Sequence, residues 1–234
     1  GEDTLSLHDA LPIYVKHLVN HDKKRTLKVI LESLEELGYN YNYQLLNLIN
    51  FGLPQNRERI FIIATKNGYF DFEKLNTQKS PPLKKFLQKD GDFEFLKEDE
   101  YTLLPEGVYK QQTESGLIFI GYRNKNGFKK GVRPNSEHLN RSHRQPNRIY
   151  SVDGYHPTIP SQESTGRFFI YLPNINKVRK LTLDECFTIM GFDKKYKRIG
   201  LSSTQYRQIG NSIGVNVAVE IAGQIIKQNL LSDD

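Results

Sequence analysis

Apolar positions between Thr26 and Leu37 fall at Leu27, Ile30, Leu31, Leu34 and Leu37, the spacing of a helix with one buried face. Gly38 follows where a helix C-terminus favours a left-handed residue. Tyr39 to Leu46 alternates loosely and predicts a strand; Asn47 to Pro54 predicts a loop. Ile60 to Thr65 is apolar and β-branched, predicts a buried strand, and ends at the turn signal Lys66-Asn67-Gly68. A strand-helix-strand order fits an α/β sheet rather than an all-β barrel. Ser80-Pro81-Pro82 breaks the pattern and marks a boundary, after which Lys84 to Leu96 predicts one short helix and a loop. Short apolar stretches with Gly and Pro turns from Arg148 to Tyr171 predict a small, mostly β domain. Thr182-Leu183-Asp184-Glu185 is a capping box, opening a helix to about Met190 with Leu183, Phe187 and Met190 on its apolar side and a stop at Gly191. Ser202 to Ile209 predicts a second helix, broken by Gly210-Asn211-Ser212. Val215, Ala218, Val219, Ala222, Ile225 and Ile226 set the face of a last helix.

Composition narrows the picture. The 234 residues hold one large domain or two small ones. No apolar run is long enough to cross a membrane. A single cysteine excludes an internal disulfide or a cysteine metal cluster and points to a reducing, cytoplasmic setting. That residue, Cys186, lies inside a predicted helix and reads as a buried structural thiol. His21 and Asp22 read as a helix-entry turn rather than a catalytic pair.

Charge is unevenly placed. The chain carries a net +6. Asp71 to Glu106 is acidic, with nine carboxylates against six lysines. Gly121 to Tyr150 reverses this: Arg123, Lys125, Lys129, Lys130, Arg133, Arg141, Arg144 and Arg148 face Glu137 alone. A basic stripe of this density suits a phosphate backbone. A solvated charged face is the other reading; the interleaved Tyr122, Phe128, His138, His143 and Tyr150 favour DNA.

Gly52-Leu53-Pro54-Gln55-Asn56-Arg57-Glu58-Arg59 runs into the Ile60 strand. Two arginines at a strand mouth can present guanidinium forks to phosphate or to a base edge. On spacing alone, an Arg-Glu-Arg surface turn with Glu58 as partner is the favoured reading. The stretch is joined downstream by Arg179-Lys180-Leu181-Thr182-Leu183-Asp184-Glu185 and by Gly210-Asn211-Ser212. Together these segments resemble, in order, the last three of ten motifs in DNA (cytosine-5)-methyltransferases, and the resemblance covers Tyr14 to the end.

The resemblance implies a fold: the C-terminal part of a Rossmann-like α/β domain that uses S-adenosylmethionine, with an inserted, mostly β target-recognition domain. Residues 14–70 would belong to the catalytic domain, 71–178 to target recognition and 179–234 to helices returning to the catalytic domain. It implies roles as well. Arg57 would steady the active site, Arg59 contact the base O2, and Gln55 brace the loop. Gly210, Asn211 and Ser212 would join the cofactor pocket; read without the family, the triplet is an ordinary helix cap. Thr158-Ile159 would stand where the family keeps a Thr-Leu pair beside a flipped base. Arg141, Arg144, Gln145, Asn147, Arg148, Gln162 and Arg167 are candidates for reading or holding DNA, with Gln162 equally a plain loop residue. The partner would be double-stranded DNA with a flipped cytosine.

The chemistry needs more than these parts. A thiolate must add to cytosine carbon 6 and an acid must hold the ring nitrogen. In the family a Pro-Cys segment and a Glu-Asn-Val segment supply them, beside a Gly-rich cofactor loop. This chain has none of the three, and Ile13-Tyr14-Val15 stands where Glu-Asn-Val belongs. Gly1 to Ile13 has no basic n-region, its Thr4 to Ile13 part matches one reading frame of a common sequencing adapter, and the leader is expected to be an assembly artefact. The expectation is the C-terminal portion of a bacterial restriction-modification cytosine methyltransferase, inactive alone. A DNA-recognition subunit of a split enzyme, complemented by a catalytic chain, and a non-catalytic DNA-binding module are the alternatives.

Overall fold

The computed structural model describes residues 13–124, 147–160 and 169–231. Strands are β1 (Ile13–Val15), β2 (Asn40–Asn47), β3 (Gln55–Asn56), β4 (Glu58–Thr65), β5 (Tyr101–Leu103), β6 (Lys110–Gln111), β7 (Ile118–Arg123), β8 (Arg148–Ser151), β9 (His156–Pro157), β10 (Phe169–Leu172) and β11 (Lys177–Lys180). Helices are α1 (Arg25–Glu36), α2 (Leu183–Thr188), α3 (Ser202–Asn211) and α4 (Val215–Lys227). The described residues divide into two compact units. One lies within Gly1–Gly52, Glu58–Lys79 and Val215–Asp234, the other within Leu53–Arg57 and Ser80–Gly214.

In the first unit β4 is the centre of a three-stranded sheet, with β1 and β2 antiparallel on either side. Its run Ile60-Phe61-Ile62-Ile63-Ala64 is buried without alternation, as a strand covered on both faces must be. Ile60 and Ile62 pack with Leu18 and Leu27, and α1 adds Ile30, Leu31 and Leu34. Gly38 closes α1 at φ +75°, its N–H donating to Glu35 O while Tyr39 N donates to Leu34 O. This is the paired bonding of a Schellman end. Leu37 falls outside the helix as its C-cap and is exposed, so it does not belong to the apolar face. His21 and Asp22 do sit in the turn entering α1, bonded to Thr26 and Arg25.

Helix α4 departs from expectation. Its buried residues are Val217, Ile221, Gln224 and Ile225, while Val219 and Ile226 are 65% and 66% exposed. Apolar residues occur almost all round this helix, so their period selects no face. A polar stripe at four-residue intervals sets its rotation instead. Asn216 donates to Phe51 O, Glu220 accepts from the Asn76 N–H, Gln224 donates to Glu220, and Gln228 brackets the backbone of Asp71.

The second unit holds a sheet in the order β11-β10-β8-β7-β5, with β6 also on β7. β10 and β8 run parallel; the other pairs are antiparallel. Its core is Ile120, Ile149, Phe169 and Val178. Gly121 is required where β7 crosses β5, because a Cβ there would lie 2.5 Å from Thr102 O. The helix expected within Lys84 to Leu96 is reduced to one 3-10 turn, Leu83–Lys85. The backbone there bonds outward: Leu83 N to Gly154 O, Lys84 N to Val152 O and Leu96 N to Val178 O. Helix α3 also differs, running through Gly210 and Asn211 and ending at Ser212, whose N–H and hydroxyl both donate to Ile209 O.

The capping box of α2 forms, with Thr182 Oγ1 accepting from Glu185 N and Glu185 Oε2 from Thr182 N. Glu185 does a second job. It meets Arg179 in a bidentate ion pair at 2.7 and 2.8 Å, both side chains at most 2% exposed. Gln88 N donates to the same carboxylate, which is thereby saturated with donors. Breaking such a pair strands a buried charge. Arg179→Met is expected to cost about 3–5 kcal/mol in urea unfolding. The double variant R179M/E185Q, which removes both charges but keeps the capping oxygen, is expected to cost less than R179M alone. A double variant costing the sum of the singles would overturn this account.

Candidate functional site

Strand β3 is two residues long and pairs in parallel with β9, Gln55 opposite His156 and Asn56 opposite Pro157. Arg57 follows the strand directly; it and Gln55 both bond Ile159, and both are buried, at 2% and 0% exposed. The surface-turn reading of this stretch does not hold for Arg57.

The two side chains converge on one peptide segment. Gln55 Oε1 accepts from Ile159 N at 3.0 Å, and Arg57 Nη1 donates to Ile159 O at 3.0 Å. Thr158 Oγ1 donates to Asn56 O at 2.7 Å, and His156 N to Pro54 O at 2.8 Å. Gln55 also sends Nε2 to Met190 Sδ at 3.1 Å. The Thr158-Ile159 pair is thus held at both its amide and its carbonyl by one short motif. The other arm of Arg57, Nη2, donates to Gly210 O at 2.9 Å and to Ser212 O at 2.8 Å, at the C-terminal end of α3. A cation there also complements the negative end of the helix dipole.

The remaining candidates are placed as follows. Arg59 lies in the first unit on β4, between Val15 and Leu46, and donates to Glu58 O. Burial lowers its pKa from the ordinary arginine value. Asn211 is exposed, and Ser212 half-buried with its hydroxyl hydrogen spent on Ile209 O. Asn147 is half-buried before β8, and the Arg148 guanidinium lies 5.5 Å from the Phe119 ring centroid. Thr158 is half-buried and Ile159 is 3% exposed, so what this pair presents is shaped by its backbone as much as its side chains. Arg141, Arg144, Gln145, Gln162 and Arg167 lie outside the described residues. Cys186 is buried in α2, with its N–H on Thr182 O.

Four partners in this cluster gave no signal of that role in the sequence. His156, Met190 and the carbonyls of Gly210 and Ser212 are recruited from far along the sequence, and main-chain acceptors leave no residue-type signature. His156 is fully buried, its Nδ1–H donating to Pro157 O at 2.6 Å. Burial pushes its pKa from 6.5 down to about 4.

Solved structures share this architecture. The Entamoeba histolytica methyltransferase EhMeth superposes with a TM-score of 0.61 at 14% identity, covering 95% of this chain and 63% of that one. The S. pombe Dnmt2 methyltransferase gives 0.58 at 16% identity, covering 95% and 66%. The fold is therefore that of the Rossmann-like α/β methyltransferases. At the sequence level, the family model for C-5 cytosine-specific DNA methylase matches residues 14–227. Type II methyltransferase M.HhaI of Haemophilus parahaemolyticus is 32% identical over 222 residues, 90% of this chain and 61% of that protein. M.MspI of Moraxella sp is 31% identical over 229 residues, 90% and 44%. This chain belongs to the C-5 cytosine-specific DNA methylase family, and it spans less than two thirds of the length of either relative.

The buried histidine gives the site a pH dependence of known sign. Above pH 6.5 His156 is neutral folded and unfolded. Between pH 6.5 and about 4 the unfolded chain takes up a proton that the folded chain refuses, so stability falls with pH across that window. The loss levels off near pH 4 at roughly 3 kcal/mol. Urea unfolding at a series of pH values should show this slope in the native chain and lose it in His156→Gln; an unchanged slope in the variant would refute the assignment.

Proposed function

We propose that this chain is the DNA-recognising portion of a DNA (cytosine-5-)-methyltransferase of a bacterial restriction-modification system. The observation that supports it most directly is the double hold of Gln55 and Arg57 on Thr158-Ile159, since both segments match family motifs of the base site. Methylation at carbon 5 requires the cytosine to leave the stack. In this reading Thr158-Ile159 forms a preset wall for the extruded base, held rigid before the base arrives. Arg59, desolvated but cationic, donates to the base O2. Arg148 and the basic residues of its segment hold the phosphate backbone.

S-adenosylmethionine supplies the methyl group when bound. The donor set at the end of α3 fits a polar ligand of that kind: the Asn211 carboxamide is exposed, and Ser212 Oγ retains acceptor capacity. Gly210 and Ser212 would serve by shape, since Arg57 engages their carbonyls.

The sole thiol is Cys186, buried in α2 and away from any role as nucleophile in this reading. The chain alone therefore does not transfer methyl groups, and a catalytic segment or chain carrying Pro-Cys and Glu-Asn-Val completes the site. Incubating the purified chain with duplex DNA and radiolabelled S-adenosylmethionine should give no incorporation, while anisotropy titrations should show duplex binding whose log affinity falls linearly with log salt. Methyl transfer by the chain alone would refute the proposed inactivity. Absence of any duplex binding would refute the DNA-recognition reading.

A further inference from the structure

We propose that Arg57 is a positioning residue that mechanically couples the base-side pair Thr158-Ile159 to the cofactor-side segment Gly210-Asn211-Ser212. The names of the two sides rest on the function proposed above; the coupling itself rests on the bonds. One arm of the guanidinium holds Ile159 O and the other holds Gly210 O and Ser212 O. The group is planar and rigid, so its two nitrogens cannot move independently. Arg57 is 2% exposed, which leaves little room for water to replace a broken contact.

Each end also has a tether of its own. Ile159 N is held by Gln55 and Thr158 Oγ1 is bonded to Asn56 O. Ser212 closes on its own helix through Ile209 O. Positions 159 and 210–212 are some fifty residues apart along the chain, and the Arg57 fork bonds to both. A shift of the Ile159 carbonyl tilts the fork and withdraws donors from the last carbonyls of α3, and the reverse holds equally. Coupling between two sites is reciprocal by thermodynamic necessity. In the proposed enzyme, filling one side would therefore stiffen the other. A lysine at this position keeps the charge but offers a single point of contact, so it cannot span both ends.

A double-mutant cycle read by amide hydrogen exchange separates coupling from simple support. Thr158→Val removes only the hydroxyl donated to Asn56 O, at the base side. Exchange is then followed at the far end, in residues 209–214. With Arg57 present, T158V should speed exchange there by about tenfold. In the Arg57→Lys chain, T158V should produce no further change at 209–214. No effect of T158V with Arg57 present would overturn the proposal. So would an equal effect in both backgrounds, which would mean a route other than the fork. Arg57→Gln serves as a second background, and loss of cooperative melting in both would make Arg57 a strut of the fold and overturn the coupling. The cycle uses neither DNA nor cofactor, so its failure leaves the functional reading to be judged by duplex binding.

Discussion

A guanidinium buried directly after a two-residue strand is the constraint on which the candidate site depends. Arg57 cannot be removed from water without oxygen acceptors close by, because an unpaired buried cation is strongly unfavourable. Its hydrogen bonds reach Ile159 O, Gly210 O and Ser212 O. Meeting that demand brings the segment after β9 and the end of α3 to the same place. Gln55, one turn of the pleat earlier, then fixes the Ile159 amide and touches Met190. The parallel pairing of β3 with β9 is short, yet side-chain bonds to the backbone on either side keep its register.

The same unit meets the same physical problem in another way at Arg179. There the acceptor is the Glu185 carboxylate, which also caps α2 and accepts from Gln88 N. A bidentate pair gives direction as well as energy, so β11 and α2 are locked at a defined angle. One arginine is satisfied by main-chain dipoles gathered from distant segments, the other by a residue six positions away. The first kind of contact depends on the whole unit being folded; the second can form with the helix itself.

This difference explains how much was legible. The Arg-x-Leu-Thr-x-x-Glu spacing showed the capping box, and the ion pair follows from the same residues at the same spacing. Helix α1 with Gly38, and the central strand β4, were equally readable, since their signals lie within a dozen residues. Helix α4 was placed but turned the wrong way, because Val219 and Ile226 looked as apolar as Val217 and Ile221. The Lys84 to Leu96 stretch was misread because its amides bond to Val152, Gly154 and Val178, partners that no local pattern reveals. The candidate site was legible as a set of motifs: Gln55, Arg57, Thr158-Ile159 and Gly210-Asn211-Ser212 could be named, but not their bonds.

By itself the sequence determined helix α1 with its Gly38 end, strand β4, the capping box of α2, the placing of basic charge and the family motifs, because each is written in residue type and short spacing. Only the tertiary structure decided which face α4 buries, where α3 ends, that Arg57 is interior, and that its fork joins two segments some fifty residues apart. The physical reason is the same in each case. Those outcomes turn on main-chain carbonyls and amides, which every residue carries alike, and only folding decides which of them meet.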